Sequence, residues 1–201
     1  MSAKFAPFGL MPTLHQSGTI RPSPTPGTFA SGHAENIFQY SPVYIDTSGL
    51  IALAAAGGSS PATQRLIGCF MGVEYTFTGT GRRVVSNYWP TGTVATNIVV
   101  WYMRDAYVTY RIQANGPITQ AEIGNQASYT LNDSTAGNTT TGFSTVALDT
   151  ATLSHATNAN QLRIVGFDQS IDNAIGDAFT IVQVQIALHQ DVANQVPYGG
   201  A

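Results

Sequence analysis

From residue 35 onward the apolar positions recur at every second residue, which is the period of a strand and not of a helix. Cys69, Met71, Val73, Tyr75 and Phe77 share one parity, and Phe70, Gly72, Glu74, Thr76 and Thr78 share the other. Val108, Tyr110 and Ile112 alternate with Thr109, Arg111 and Gln113, while Val182, Val184, Ile186 and Leu188 alternate with polar Gln183 and Gln185. Residues 97–103 and 161–167 are dominated by β-branched and aromatic side chains, which fit a pleated surface. Turn chemistry punctuates these runs at Thr47-Ser48-Gly49, Gly79-Thr80-Gly81, Pro90-Thr91-Gly92 and Asn115-Gly116-Pro117. Short strands with frequent turns predict an all-β body, a single β-barrel or jelly-roll-like β-sandwich, over residues 35–190. Helical pattern is confined to one possible turn at 118–123 and another at 170–175. The run 130–145, rich in Thr, Ser, Asn and Gly, reads as a long exposed loop, and 191–201 as a polar C-terminal tail.

Residues 1–34 are different in kind. Five of the ten prolines fall in the first 26 residues, at Pro7, Pro12, Pro22, Pro24 and Pro26, interspersed with glycines. Proline fixes φ and pushes its predecessor toward extended backbone, so this segment reads as an extended arm. It nevertheless keeps Phe5, Phe8, Leu10, Met11, Leu14, Ile20 and Phe29, and a wholly solvated linker has little use for these. They are the candidate contact residues, expected to be buried against a neighbouring subunit.

Composition sharpens this expectation. The 201 residues suit one domain of this kind, and with a formal charge of −3 and 43% hydrophobic residues the chain is not a disordered one. No apolar run approaches the roughly 20 residues of a membrane-spanning helix. Met1-Ser2-Ala3-Lys4, running into Pro7, Gly9 and Pro12, lacks the apolar region of a secretory signal. Charged residues make up only 9% of the chain, with a single lysine, Lys4, beside seven arginines. An isolated soluble protein usually keeps roughly a quarter to a third of its surface charged and guards sheet edges with lysine. Interfaces are instead depleted in Lys and Glu and enriched in aromatics and Arg, which is the bias found here.

The chemistry-bearing residues do not assemble into a motif. His15, His33, His155 and His189 lack the spacing of a zinc site, and the one cysteine, Cys69, sits on the apolar parity of a predicted strand. Asp168, Asp172 and Asp177, with Asn173 between them, form the densest acidic cluster; they match no calcium-loop spacing and read better as turn-forming aspartates. Nucleophile-elbow, phosphate-loop and dinucleotide fingerprints are missing. Arg82-Arg83 is too sparse for a phosphate-tracking surface. Trp89 and Trp101 could stack a sugar, but core or interface packing is the commoner fate of such side chains. Neither catalysis nor a cofactor or metal is expected, and nucleic acid, membrane and small-molecule substrates are not expected as partners.

The arm and the strands together resemble a known group. Ala6-Pro7-Phe8-Gly9-Leu10-Met11-Pro12, Tyr40-Ser41-Pro42-Val43-Tyr44, Leu66-Ile67-Gly68-Cys69-Phe70-Met71-Gly72-Val73-Glu74-Tyr75 and Ser86-Asn87-Tyr88-Trp89-Pro90 are similar to segments of tailed-bacteriophage structural proteins. So are Tyr110-Arg111-Ile112-Gln113-Ala114-Asn115-Gly116, Gln161-Leu162-Arg163-Ile164-Val165-Gly166 and Asp172-Asn173-Ala174-Ile175-Gly176-Asp177-Ala178. The resemblance is to capsid cement, or decoration, proteins. It implies a homotrimer made in the host cytoplasm and bound to the outside of the phage head, where it clamps neighbouring major capsid protein subunits. It brings no catalytic residues. A head–tail connector, a tail protein or a carbohydrate-binding tail module remain alternatives; the last would need Trp89, Trp101 and the acidic loop to share a cleft.

Overall fold

The structure is a computed structural model that describes residues 4–15, 17, 25–54, 65–133, 135–155 and 160–192. It is all-β. The strands, in chain order, are β1 (Met11–His15), β2 (Thr25–Gly27), β3 (Ile37–Phe38), β4 (Pro42–Ile45), β5 (Ile51–Leu53), β6 (Gly68–Phe77) and β7 (Arg83–Ser86). They are followed by β8 (Tyr88–Trp89), β9 (Ala95–Tyr102), β10 (Val108–Gln113), β11 (Gln126–Tyr129), β12 (Leu148–Ser154), β13 (Leu162–Phe167) and β14 (Ile181–Ile186). Of the two helical turns expected, 118–123 yields a short 3-10 turn at Gln120–Glu122, whose first residues are held by the Glu122 carboxylate accepting from Thr119. Residues 170–175 form turns instead. Among the described residues no helix is long and apolar enough to cross a membrane.

Two antiparallel sheets divide the chain by sequence. The first has the order β1-β10-β14-β13-β11-β12, and the second the order β2-β9-β6-β4-β5 with β7 paired to β6. Apart from β1 and β2, the second sheet is made by residues 42–102 and the first by residues 108–186. Each sheet takes one edge strand from the N-terminal segment: β1 pairs with β10, and β2 with β9. Pro12 and Pro26 lie in these strands, and an edge is the place where a sheet tolerates a missing donor. Strands β3 and β8 make a separate small ribbon.

Two cores result. The first, under sheet one, is mostly aliphatic: Leu10, Ile112, Leu148, Leu162, Ile164, Val182 and Val184 surround the phenols of Tyr110 and Tyr129. The second is aromatic, with Phe29, Phe70, Tyr75, Trp89 and Tyr102 at its centre. Trp89 meets Phe29 and Tyr75 edge-on at centroid distances of 5.6 and 5.1 Å, the favoured geometry for aromatic pairs.

The wall between the cores is β4 with the start of β6. Val43 and Phe70 point to the aromatic core, while Tyr44, Cys69 and Met71 pack on the aliphatic one. A strand buried on both faces reads as an unbroken apolar run, which explains Gly68 to Val73. The set Cys69, Met71, Val73, Tyr75 and Phe77, expected to share one face of β6, is therefore divided between the two faces. The register against β9 slips between Phe70 and Gly72, so the residues after the slip, Val73 and Tyr75, join Phe70's side and not that of Cys69.

The loop expected to be exposed at 130–145 is partly folded into the body. Ser144 donates its backbone N–H to Gln39, and Gln39 donates to Gly142. Asn132 is buried, and its amide donates to the carbonyls of Pro42 and Ala54. Its Thr, Asn and Ser side chains supply internal hydrogen bonds, a role composition does not distinguish from solvation. The polar tail lies outside the described residues beyond Val192. Just before it, Gln190 exchanges two hydrogen bonds with the Ile45 backbone, and Asp191 pairs with Arg104 at 2.6 Å.

Candidate functional site

The N-terminal segment is laid onto the body wherever it is described. Gly9 has φ +79°, a left-handed value that glycine adopts without strain, and a side chain there would collide with the Tyr40 carbonyl and Ser144. This close approach lets Gly9 donate to Val146 and Leu10 donate to Tyr40. Gln113, on the polar parity of β10, reaches over and holds the segment by its amide. Its carbonyl accepts from the Ala6 N–H at 2.8 Å, and its NH2 donates to the Lys4 carbonyl at 2.9 Å.

The candidate contact residues consequently separate into groups. Leu10 is fully buried in the aliphatic core and Phe29 almost fully in the aromatic core, so both serve this chain's own packing and not a neighbour's surface. That corrects the expectation for these two residues. The physical reason is that a proline-rich segment can close a sheet edge as readily as it can leave the body. Phe5 and Leu14 remain exposed; Phe5 rests partly on Phe179, with ring centroids 5.2 Å apart. Phe8 and Met11 are half-buried. Ile20 lies outside the described residues.

Phe8 and Met11 have a structural role together. With Lys4, Ala6, Arg111, Gln113 and Ile181 they line an open, largely apolar groove of about 550 Å³ between the N-terminal segment and sheet one. Beside it stands the acidic loop. The Arg111 guanidinium, in the groove wall, pairs with the Asp168 carboxylate at 2.8 Å and so ties groove to loop. Asn173 braces the loop from within. Its amide donates to the carbonyls of Asp168 and Ile181 and accepts from the Ile181 N–H, all within 2.9 Å. Asp177 accepts from the Ala174 N–H. Asn173 and Asp177 thus play the turn-forming roles expected of the cluster, while the Asp168 side chain makes an ion pair. Among the described residues no three His, Cys, Asp or Glu side chains converge as a metal site would require.

Other sequence candidates are dispersed. Trp89 is wholly buried in the aromatic core, whereas Trp101 lies on the opposite face of sheet two, across from Gly72. The cleft that a sugar-binding reading would need from these two rings and the acidic loop is therefore not formed. Cys69 is buried, and desolvation raises its thiol far above the ordinary range, so it packs as a small neutral group. The histidines go separate ways: His15 pairs with Asp105 at 3.0 Å, His33 with Glu35 at 3.6 Å, and His155 meets Asn125. His189 is buried where Leu66 bridges to it, and desolvation lowers its pKa, with Asp191 and Asp105 opposing the shift and Arg104 adding to it.

Two features of this site were not legible as such in the sequence. Gln113 looked like one of several polar alternating residues. Ile171 and Ile175, both strongly exposed on the braced loop, stood in a stretch dominated by its aspartates. The only available signal was two isoleucines set among turn-forming residues, which is weak.

No known family model, curated protein or solved structure matches the chain.

Proposed function

We propose that this chain is a structural virion protein that binds the outside of a tailed-phage head as a cement protein. In this reading it acts as a trimer that stabilises contacts between major capsid protein subunits. The observation that carries the reading is the character of the surface: Val85, Leu131, Tyr107 and Ile171 are all strongly exposed on a chain with only 9% charged residues. Such a surface is poorly suited to a dispersed monomer and well suited to one that is covered in use. The sequence segments similar to phage decoration proteins support the same reading. The protein works by packing and by hydrogen bonding through its many Thr, Asn and Gln side chains; no reaction is assigned to it.

The arm enters this proposal in revised form. Because Leu10 and Phe29 fasten the segment to its own body, the grip on a capsid falls to what stays exposed, Phe5 and Leu14, together with the weakly charged sheet faces. Electron cryomicroscopy of virions tests the role by copy number and place. Hundreds of copies on the head lattice support the cement role, and a few rings' worth at the portal or tail overturn it.

A further inference from the structure

We propose that the loop bearing Ile171 and Ile175 seats in the groove of a second copy of this chain. This rests on the reading of the protein as an assembling subunit and names the surfaces through which copies meet. Ile171 has a relative exposure of 105% and Ile175 of 55%, so two aliphatic side chains stand in water on successive turns of one loop. The loop has little freedom to fold them away. Asn173 fixes both of its ends, Asp177 closes its second half, Gly176 donates to the Ile118 carbonyl, and Asp168 is held by Arg111. A knob that is already ordered loses little entropy on docking.

The groove offers the matching chemistry. Phe8, Met11 and Ile181 give it apolar walls, and Lys4, the chain's only lysine, contributes its cationic part. The loop side is anionic: residues 168–177 contain three aspartates, and no Lys or Arg follows Arg163 in the chain. The docking segment thus carries formal negative charge, opposite in sign to the lysine that lines the groove. The full exposure of Ile171 shows that the loop does not enter its own chain's groove. Knob and groove adjoin through the Arg111–Asp168 pair, and a loop-to-groove contact repeated about a rotation axis closes into a ring.

Light-scattering mass measurement on the full chain over a range of concentrations tests this. The wild-type chain is expected to associate, and Ile171→Asp and Met11→Asp each to weaken association at least tenfold. Mixing these two variants yields a one-to-one heterodimer and nothing larger, because one still offers an intact groove and the other an intact loop. Ile171→Ser and Lys4→Glu, at exposed positions, repeat the loss with the circular dichroism of the folded chain unchanged. Folded variants that associate like the wild type, or a mixture of folded variants that stays monomeric, overturn the proposal. Sedimentation with phage heads separates it from the cement reading. A wild-type monomer that binds heads overturns this contact and leaves the cement role standing; loop-dependent oligomers that bind no head do the reverse.

Discussion

The two sheets solve the same problem with different materials. Sheet two buries a dense aromatic cluster built from residues 29–102, and its open face carries the Glu74–Arg83 ion pair, 2.7 Å apart, beside exposed Val85. Sheet one buries mainly aliphatic side chains drawn from Leu10 to Ile186, and its open face is lined by Thr109, Arg111, Gln183 and Gln185. The aromatic core concentrates stability in a few large rings. The aliphatic core spreads it over many small contributions. It is also the side that carries the groove and the braced loop. The proposed groove-and-loop contact thus lies on the side built from many small contributions.

The strongest challenge to this contrast is Trp89→Ala. Removing the ring that Phe29 and Tyr75 pack against should cost about 3–5 kcal/mol, more than any single aliphatic truncation in sheet one's core, as thermal or denaturant unfolding would report. A loss equal to that of Leu162→Ala would erase the distinction between the cores. Next comes Gly9→Ala, which imposes a left-handed backbone on alanine and drives its side chain into the Tyr40 carbonyl. A loss of roughly 1–3 kcal/mol is expected, together with faster proteolysis of the N-terminal segment. Unchanged proteolysis would mean that β1 contributes little to holding that segment.

A smaller effect belongs to His189, where the C-terminal end of the body meets Leu66. Its folded pKa lies below the unfolded value of 6.5, so the unfolded chain takes up a proton that the folded chain resists. The stability associated with neutral His189 is complete above about pH 6.5 and falls as the pH drops below it; His189→Gln should flatten that slope in pH-dependent unfolding. The smallest change is expected from Tyr110→Phe. The Tyr110 hydroxyl is buried in the aliphatic core without a hydrogen-bond partner among the described residues. Its removal should leave stability within about 1 kcal/mol of the wild type, on the favourable side, because no hydrogen bond is lost and a desolvated group is removed. A clear destabilisation would show that the hydroxyl is satisfied after all.

The same contrast explains what the sequence revealed. The alternation in β10 and β14 was legible because Val108, Tyr110 and Ile112, like Val182, Val184 and Ile186, all turn into the aliphatic core. In β6 parity failed, since Cys69 and Phe70 serve opposite cores and the register slips at Met71. Pro12 and Pro26 signalled extension correctly and location incorrectly: proline excludes the middle of a sheet but does not say whether an extended segment leaves the body or borders it. The acidic loop's turn chemistry was visible in its Asp and Asn residues. The groove was not, because it is formed by Lys4, Phe8 and Met11 meeting Arg111, Gln113 and Ile181 from far along the sequence. Low charge pointed to covered surfaces without saying which ones.

Calorimetry of tailed-phage heads prepared with and without this chain tests the central claim most directly. The cement reading predicts that heads carrying it disrupt at a higher temperature and that adding the purified protein to bare heads restores the increase. Heads that bind no protein, or that bind it and melt at the same temperature, would contradict the reading.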